Sequence, residues 1–174
     1  VRGCGDGASL SSVERSGPAA HAWEAVAPMA SARINHATAV LDGKLYAVGG
    51  CNGDDLPLPG SVERYDPALN AWQAVAPIAT ARAAHAMAVL DGKLYAVGGQ
   101  HEADGEDEAD GATSNLVERY DFAANAWEAV APMAAARDAL GVAVLDGKLY
   151  AVGGSDNYGP LSSVERYDPA LDAW

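Results

Sequence analysis

The chain has 174 residues, 49% of them hydrophobic, enough for one sizeable core. Acidic side chains outnumber basic ones 24 to 11, for a formal net charge of −13 and a pI near 4.4, so phosphate backbones are repelled and nucleic acid is not an expected partner. No basic start leads into an apolar run, and no stretch approaches the ~20 apolar residues of a spanning helix, which leaves secretion and membrane association without support.

Cys4 and Cys51 occupy matching places three residues after Val1 and Val48. Two thiols make neither a disulfide framework nor a zinc spacing, and free thiols in a reducing compartment place the chain in the cytoplasm as an expectation. From residue 36 the string HATAVLDGKLYAVGG sets two short apolar runs around Asp42-Gly43. That dipeptide, repeated at Asp91-Gly92 and Asp146-Gly147, predicts a two-residue primed turn and a tight antiparallel hairpin. The double glycine that follows is expected to allow close backbone approach and a sharp exit. After a variable stretch, SVERYDP from Ser61 alternates as a strand exposed on at least one face, with Tyr65-Asp66-Pro67 as its turn. Residues 71–78, AWQAVAPI, form the fourth strand, which stops at a proline unable to donate to a ladder.

The same unit recurs along the chain. Val-Glu-Arg begins at Val13, Val62, Val117 and Val164, and tryptophan follows at Trp23, Trp72, Trp127 and Trp174, both stepping by 49, 55 and 47 residues. A period near 50 marks one supersecondary unit that buries its apolar face only by stacking on copies of itself. The tryptophans are expected to pack between these units; serving together as an exposed ligand platform is the less favoured reading.

Four strands per unit, a double glycine closing the second, and Tyr and Trp at fixed spacing are how the kelch repeat is written, and the chain resembles the kelch β-propellers. Ser61 to Gly99 is similar to the kelch-like proteins that carry a BTB domain. The expected fold is therefore all-β, an incomplete kelch-type ring of about three to four four-stranded antiparallel blades, divided as half repeat 1–29, repeats 30–78 and 79–133, and a repeat at 134–174 truncated at its last strand. Counting two, four, four and three strands predicts a piece of a larger propeller. Two copies completing each other's broken blades is an alternative, with self-association through exposed blade edges.

The resemblance implies a protein or peptide ligand on one propeller face, and a role as the substrate-recognition part of a cullin-based ubiquitin ligase adaptor. The alternatives are a fragment of a kelch-propeller enzyme of the copper radical oxidase or sialic acid epimerase type, and an actin-linked structural protein. In that family the ligand face is built from inter-blade loops and from loops between the second and third strands. Carried over here, the inter-blade loops supply Arg33, Arg82 and Arg137, with Asn35 beside the first. Either the arginines grip acidic side chains of a partner, or each pairs with a neighbouring carboxylate or backbone carbonyl. The variable loops, where packing constrains sequence least, add Asn52, Asp54, Asp55, Asn115, Asp156, Asn157 and Tyr158 as candidate contacts.

Glu102, Asp104, Glu106, Asp107, Glu108 and Asp110 crowd the second variable loop. They lack the ligand spacing of a calcium loop, so a solvated face is expected and no metal. His36 and His85 hold equivalent places that Leu140 fills in the next repeat, which points to ring packing. No motif assembles a nucleophile, base and orienting group, so no catalytic residue, no enzyme activity and no cofactor are expected.

Overall fold

The primed turn needs two successive residues with positive φ. Asp42 and Gly43 have φ of 49° and 69°, and the pairs Asp91-Gly92 and Asp146-Gly147 adopt the same conformation. Register follows from that geometry: Leu41 lies opposite Lys44, and the flanking strands pair residue for residue back to Ala37 and Val48. The computed structural model describes residues 4–5, 8–17, 22–52, 60–101 and 112–174. The candidates Asp54 and Asp55 and the acidic run 102–110 lie outside the described residues.

The first unit comprises a two-residue hairpin, β1 (Cys4–Gly5) with β2 (Ala8–Ser9), and a two-stranded sheet of β3 (Val13–Gly17) and β4 (Ala22–Val26). The second unit is a four-stranded antiparallel sheet of β5 (Ala37–Leu41), β6 (Lys44–Val48), β7 (Val62–Asp66) and β8 (Ala71–Val75) in chain order. The third repeats it with β9 (Ala86–Leu90), β10 (Lys93–Val97), a short hairpin of β11 (Gln100–His101) and β12 (Ala112–Thr113), then β13 (Val117–Asp121) and β14 (Ala126–Val130). The last has β15 (Gly141–Leu145), β16 (Lys148–Val152), the hairpin β17 (Ser155–Asp156) with β18 (Gly159–Pro160), and β19 (Val164–Tyr167). Its sheet has three strands, β15-β16-β19, continued only by a bridge between Asp168 and Ala173. The described strands are therefore all antiparallel and form blades of an unclosed ring.

The second, third and fourth sheets stack face to face in chain order. Leu41, Tyr46, Val48, Val62 and Ile78 of the second unit are buried against Leu94, Ala96 and Tyr120 of the third. Leu90, Tyr95, Val97, Val117 and Met133 are buried in turn against Leu149, Ala151 and Tyr167 of the fourth. The core is thus a series of layers between blades, with ring contacts across each layer, Tyr46 to Tyr120 and Tyr95 to Tyr167, both at 5.9 Å.

The tryptophans fasten each layer. Trp72 Nε1 donates to the Ala27 carbonyl at 2.9 Å, Trp127 Nε1 to Ala76 at 3.0 Å, and Trp174 Nε1 to Ala131 at 2.8 Å, always reaching the preceding unit. Asn70 Oδ1 accepts the Ala27 N–H at 3.0 Å and the Tyr65 hydroxyl at 2.8 Å, and Asn125 and Asp172 repeat both bonds. Asn70, Asn125 and Asp172 have φ near 47°, a left-handed turn conformation that Asn and Asp tolerate. Trp23, the first of the series, is 70% exposed.

Candidate functional site

The connectors between units carry Arg33, Arg82 and Arg137, and the reading of these three as exposed rim contacts is corrected by their position. All three are 0% exposed. Arg82 Nη1 donates to the carbonyls of Gly98 and Leu116, both at 3.0 Å, and Nη2 donates to Glu118 Oε1 at 2.7 Å. Arg33 makes the same set to Gly49, Ser61 and Glu63, and Arg137 to Gly153, Ser163 and Glu165. Each carboxylate also accepts two connector N–H groups: Ala30 and Ser31 on Glu63, Ala79 and Thr80 on Glu118, Ala134 and Ala135 on Glu165. A buried guanidinium is tolerated because its charge is paired and its donors are directed at carbonyls. The arginines hold the connector to the sheet that follows it, the internal pairing that was the alternative expectation, so none of these three guanidinium groups is open to a ligand.

The double glycines explain how the arginine reaches those carbonyls. Gly98 and Gly99 have φ of 64° and 101°, and a Cβ on Gly98 would stand 2.3 Å from the Arg137 carbonyl oxygen of the next connector. Backbone therefore passes directly against backbone where one blade meets the next, and Gly99 N–H donates to that same carbonyl at 2.9 Å.

Two residues beyond each arginine the chain takes a second left-handed step. Asn35, Ala84 and Ala139 have φ of 53°, 53° and 46°, a conformation costly for alanine. These residues are linked from blade to blade: Ala84 N–H donates to the Asn35 carbonyl at 2.8 Å, and Ala139 N–H to the Ala84 carbonyl at 2.9 Å. Asn35 and Ala139 are exposed. The row forms an inner rim, and of the sequence candidates it contains Asn35; the alanines carried no signal in their residue type.

The short hairpins stand beside this rim. Ala83 and Gln100 form a β-bridge, as do Asp138 and Ser155 and Ile34 and Cys51, so each connector is paired with the loop after the second strand of its own blade. Asp138, 7% exposed, accepts from Ser155 Oγ at 2.8 Å and from Gln100 Nε2 of the preceding blade. Asn157 Oδ1 accepts the Thr113 hydroxyl, joining neighbouring hairpins. Asn115 donates from Nδ2 to the Met133 carbonyl at 2.9 Å, which makes it a strut between loop and connector. Asn52 is half-buried, and its Oδ1 has no hydrogen-bond partner among the described residues. Asp156 Oδ1 accepts the N–H groups of Tyr158 at 2.8 Å and Gly159 at 3.0 Å, fixing the turn that lifts Tyr158 to 98% exposure.

His36 and His85 lie beneath the rim. Burial is the largest cause lowering the His85 pKa from 6.5 to about 3, with the Arg82 charge and then His36 adding to it. His36 is lowered by burial and by Arg33. Both rings are held against the double glycines, His85 Cβ against Gly99 and His36 Cβ against Gly50, where Leu140 stands against Gly154. Ring packing is their observed environment. Among the described residues no group of three His, Cys, Asp or Glu side chains is placed to hold a metal.

Repeated four-stranded blades, inter-blade tryptophans and glycine-permitted backbone contacts define a β-propeller of kelch type. The kelch motif matches residues 32–78, 81–134 and 136–174, and the chain belongs to the kelch-repeat family. It is similar to Kelch-like protein 4 of Homo sapiens, 46% identical over 61 residues that cover 35% of this chain and 8% of that protein. Kelch-like protein 5 of Homo sapiens is 53% identical over 51 residues, covering 29% of this chain and 7% of the relative. Each match thus spans under a tenth of those relatives. Among solved structures, that titled Structure of YjhT superposes with a TM-score of 0.73 at 21% identity, over 86% of this chain and 54% of that one, a likeness of fold.

Proposed function

We propose that the chain is a protein-binding module whose ligand lies across the inner rim and the adjoining hairpin tips, with Tyr158 as the principal anchor. The observation that carries this reading is the pinned exposure of Tyr158, 98% open on a turn tied down by two bonds to Asp156. A large aromatic held in place without burying its own ring is ready to fill a partner's pocket with little ordering cost. Exposed Asn35 and Asn157 flank the same surface with adaptable polar groups. Kelch-like relatives support protein binding over chemistry, and in a longer chain such a module would serve in the cytoplasm as the recognition part of a ubiquitin ligase adaptor.

Affinity capture with the chain and with a Tyr158→Ala variant tests the reading. The variant should melt with the parent, since the side chain is solvent-exposed, yet lose captured proteins by about tenfold or more, the cost of deleting an anchor of ~2 kcal/mol. An unchanged set of captured proteins refutes it. Co-capture of a cullin by a chain extended upstream would support the ligase role.

A further inference from the structure

The seams on either side of the third sheet share one bonding pattern and differ in the side chain that fills them. Across the first, Gly50 N–H donates to the Arg82 carbonyl at 2.9 Å and Ala84 N–H to the Asn35 carbonyl at 2.8 Å. Across the second, Gly99 N–H donates to the Arg137 carbonyl and Ala139 N–H to the Ala84 carbonyl, both at 2.9 Å. The residue after each left-handed alanine packs into the seam, His85 in the first and Leu140 in the second. His85 sets its Cβ against Gly99 and carries its ring back to the preceding sheet, where a Cβ on Gly49 would stand 3.0 Å from Cε1. Leu140 spans Gly154 and Gly98 in the same way.

A leucine needs no polar partner in that place, whereas an imidazole does. His85 is 6% exposed, and neither Nδ1 nor Nε2 has a hydrogen-bond partner among the described residues. A neutral ring thus leaves one donor and one acceptor unmet, and a protonated ring would leave two donors and a buried charge. The acceptors about the seam are already engaged. The Gly49 carbonyl accepts from Arg33 Nη1, the Arg82 carbonyl from Gly50 N–H, and Glu118 from Arg82 and the N–H groups of Ala79 and Thr80. The charged and titratable groups that act on the ring are Arg82 on its own connector and His36 on the connector before, and both oppose an added positive charge. The ring therefore stays neutral while the seam is shut and takes up a proton when it opens.

We infer that His85 makes the seam between the second and third sheets an acid-triggered latch: mild acid opens the inner rim there, at Asn35 and Ala84, and leaves the leucine-filled seam shut. That rim is part of the surface proposed above for a partner, so, resting on that reading, acid makes the module release what it holds. In an opened seam the ring has its ordinary pKa of 6.5, against about 3 when buried. Opening is therefore independent of this ring above pH 6.5 and grows more frequent as pH falls below it, by about thirtyfold at pH 5. His36, whose pKa is lowered in the same direction, adds a further share.

Residue-resolved amide hydrogen exchange at pH 7 and pH 5, corrected for the intrinsic pH dependence of exchange, tests the latch. The Gly50 and Ala84 amides should lose about thirtyfold or more in protection at pH 5, while those of Gly99 and Ala139 keep theirs. His85→Leu, which copies the next seam, should remove the larger part of that loss. A loss shared equally by the two seams, or one that His85→Leu leaves unchanged, overturns the inference. Proteins captured by the parent and lost by Tyr158→Ala should elute at pH 5 from the parent and stay bound to His85→Leu. Retention by a parent whose seam opens overturns acid release and leaves binding through Tyr158 standing.

Discussion

His85→Leu should reduce the acid sensitivity of this fold. In the native state the ring is neutral down to about pH 3, whereas in the unfolded chain it takes up a proton near 6.5. A folded pKa below the unfolded one means the unfolded state binds more protons between those values, so stability is fully present above pH 6.5 and falls as pH drops toward 3. At pH 5 the loss is about 2 kcal/mol, from roughly 1.5 pH units at about 1.4 kcal/mol each. For a chain of this size it lowers the melting temperature by about 4–8 °C. His36, displaced in the same direction, adds to it. Leucine is the right replacement because Leu140 already fills the equivalent site, 8% exposed, against the next pair of glycines. Thermal melts followed by circular dichroism at pH 7 and pH 5 make the measurement; pH 5 stays above the ordinary 3.8 of Asp66, Asp121 and Asp168, whose pKa values their lysine partners lower further. A parent that melts alike at both pH values, or a variant that keeps the full acid loss, refutes the reasoning.

Gly98→Ala should destabilise by about 3 kcal/mol or more, since the new methyl meets the Arg137 carbonyl at 2.3 Å in a left-handed backbone, whereas Gly92→Ala, with nothing within 4 Å, should cost about 1 kcal/mol; urea melts of both compare them. Glu118→Ala leaves the Arg82 charge and two connector N–H groups buried without a partner, and should lower stability by about 3–5 kcal/mol, against under about 1 kcal/mol for Glu24→Ala in an exposed pair. Trp127→Phe deletes the bond to Ala76 while keeping most of the ring packing, so denaturant titration should show a loss of about 1 kcal/mol for that bond, plus a smaller packing loss.

What the sequence revealed divides along a physical line. The hairpin turns were legible because Asp-Gly at a two-residue connection has one low-energy solution, and their φ values of 49° and 69° realise it. The tryptophan's packing role followed from its regular spacing. The arginine partner did not, because Arg33 and Glu63 are 30 residues apart, and an arginine is mostly found at the surface unless paired. A usable signal was present: a glutamate stands at the same place in each Val-Glu-Arg triplet, and the second, third and fourth of these match the three arginines in number. The left-handed alanines Ala84 and Ala139 were illegible, since nothing in alanine announces positive φ and the bonds that accompany it run between blades. Likewise the two-residue strands β11, β12, β17 and β18 sit within stretches too variable to show an alternating pattern.

The tryptophan and asparagine fasteners make the repeats interchangeable parts. Every layer presents an alanine carbonyl and N–H on one side and a Trp with an Asn or Asp on the other, so any unit can follow any other without a new interface. Gain or loss of a whole repeat would leave both neighbours correctly joined, while a deletion inside one would strand a fastener without its receptacle.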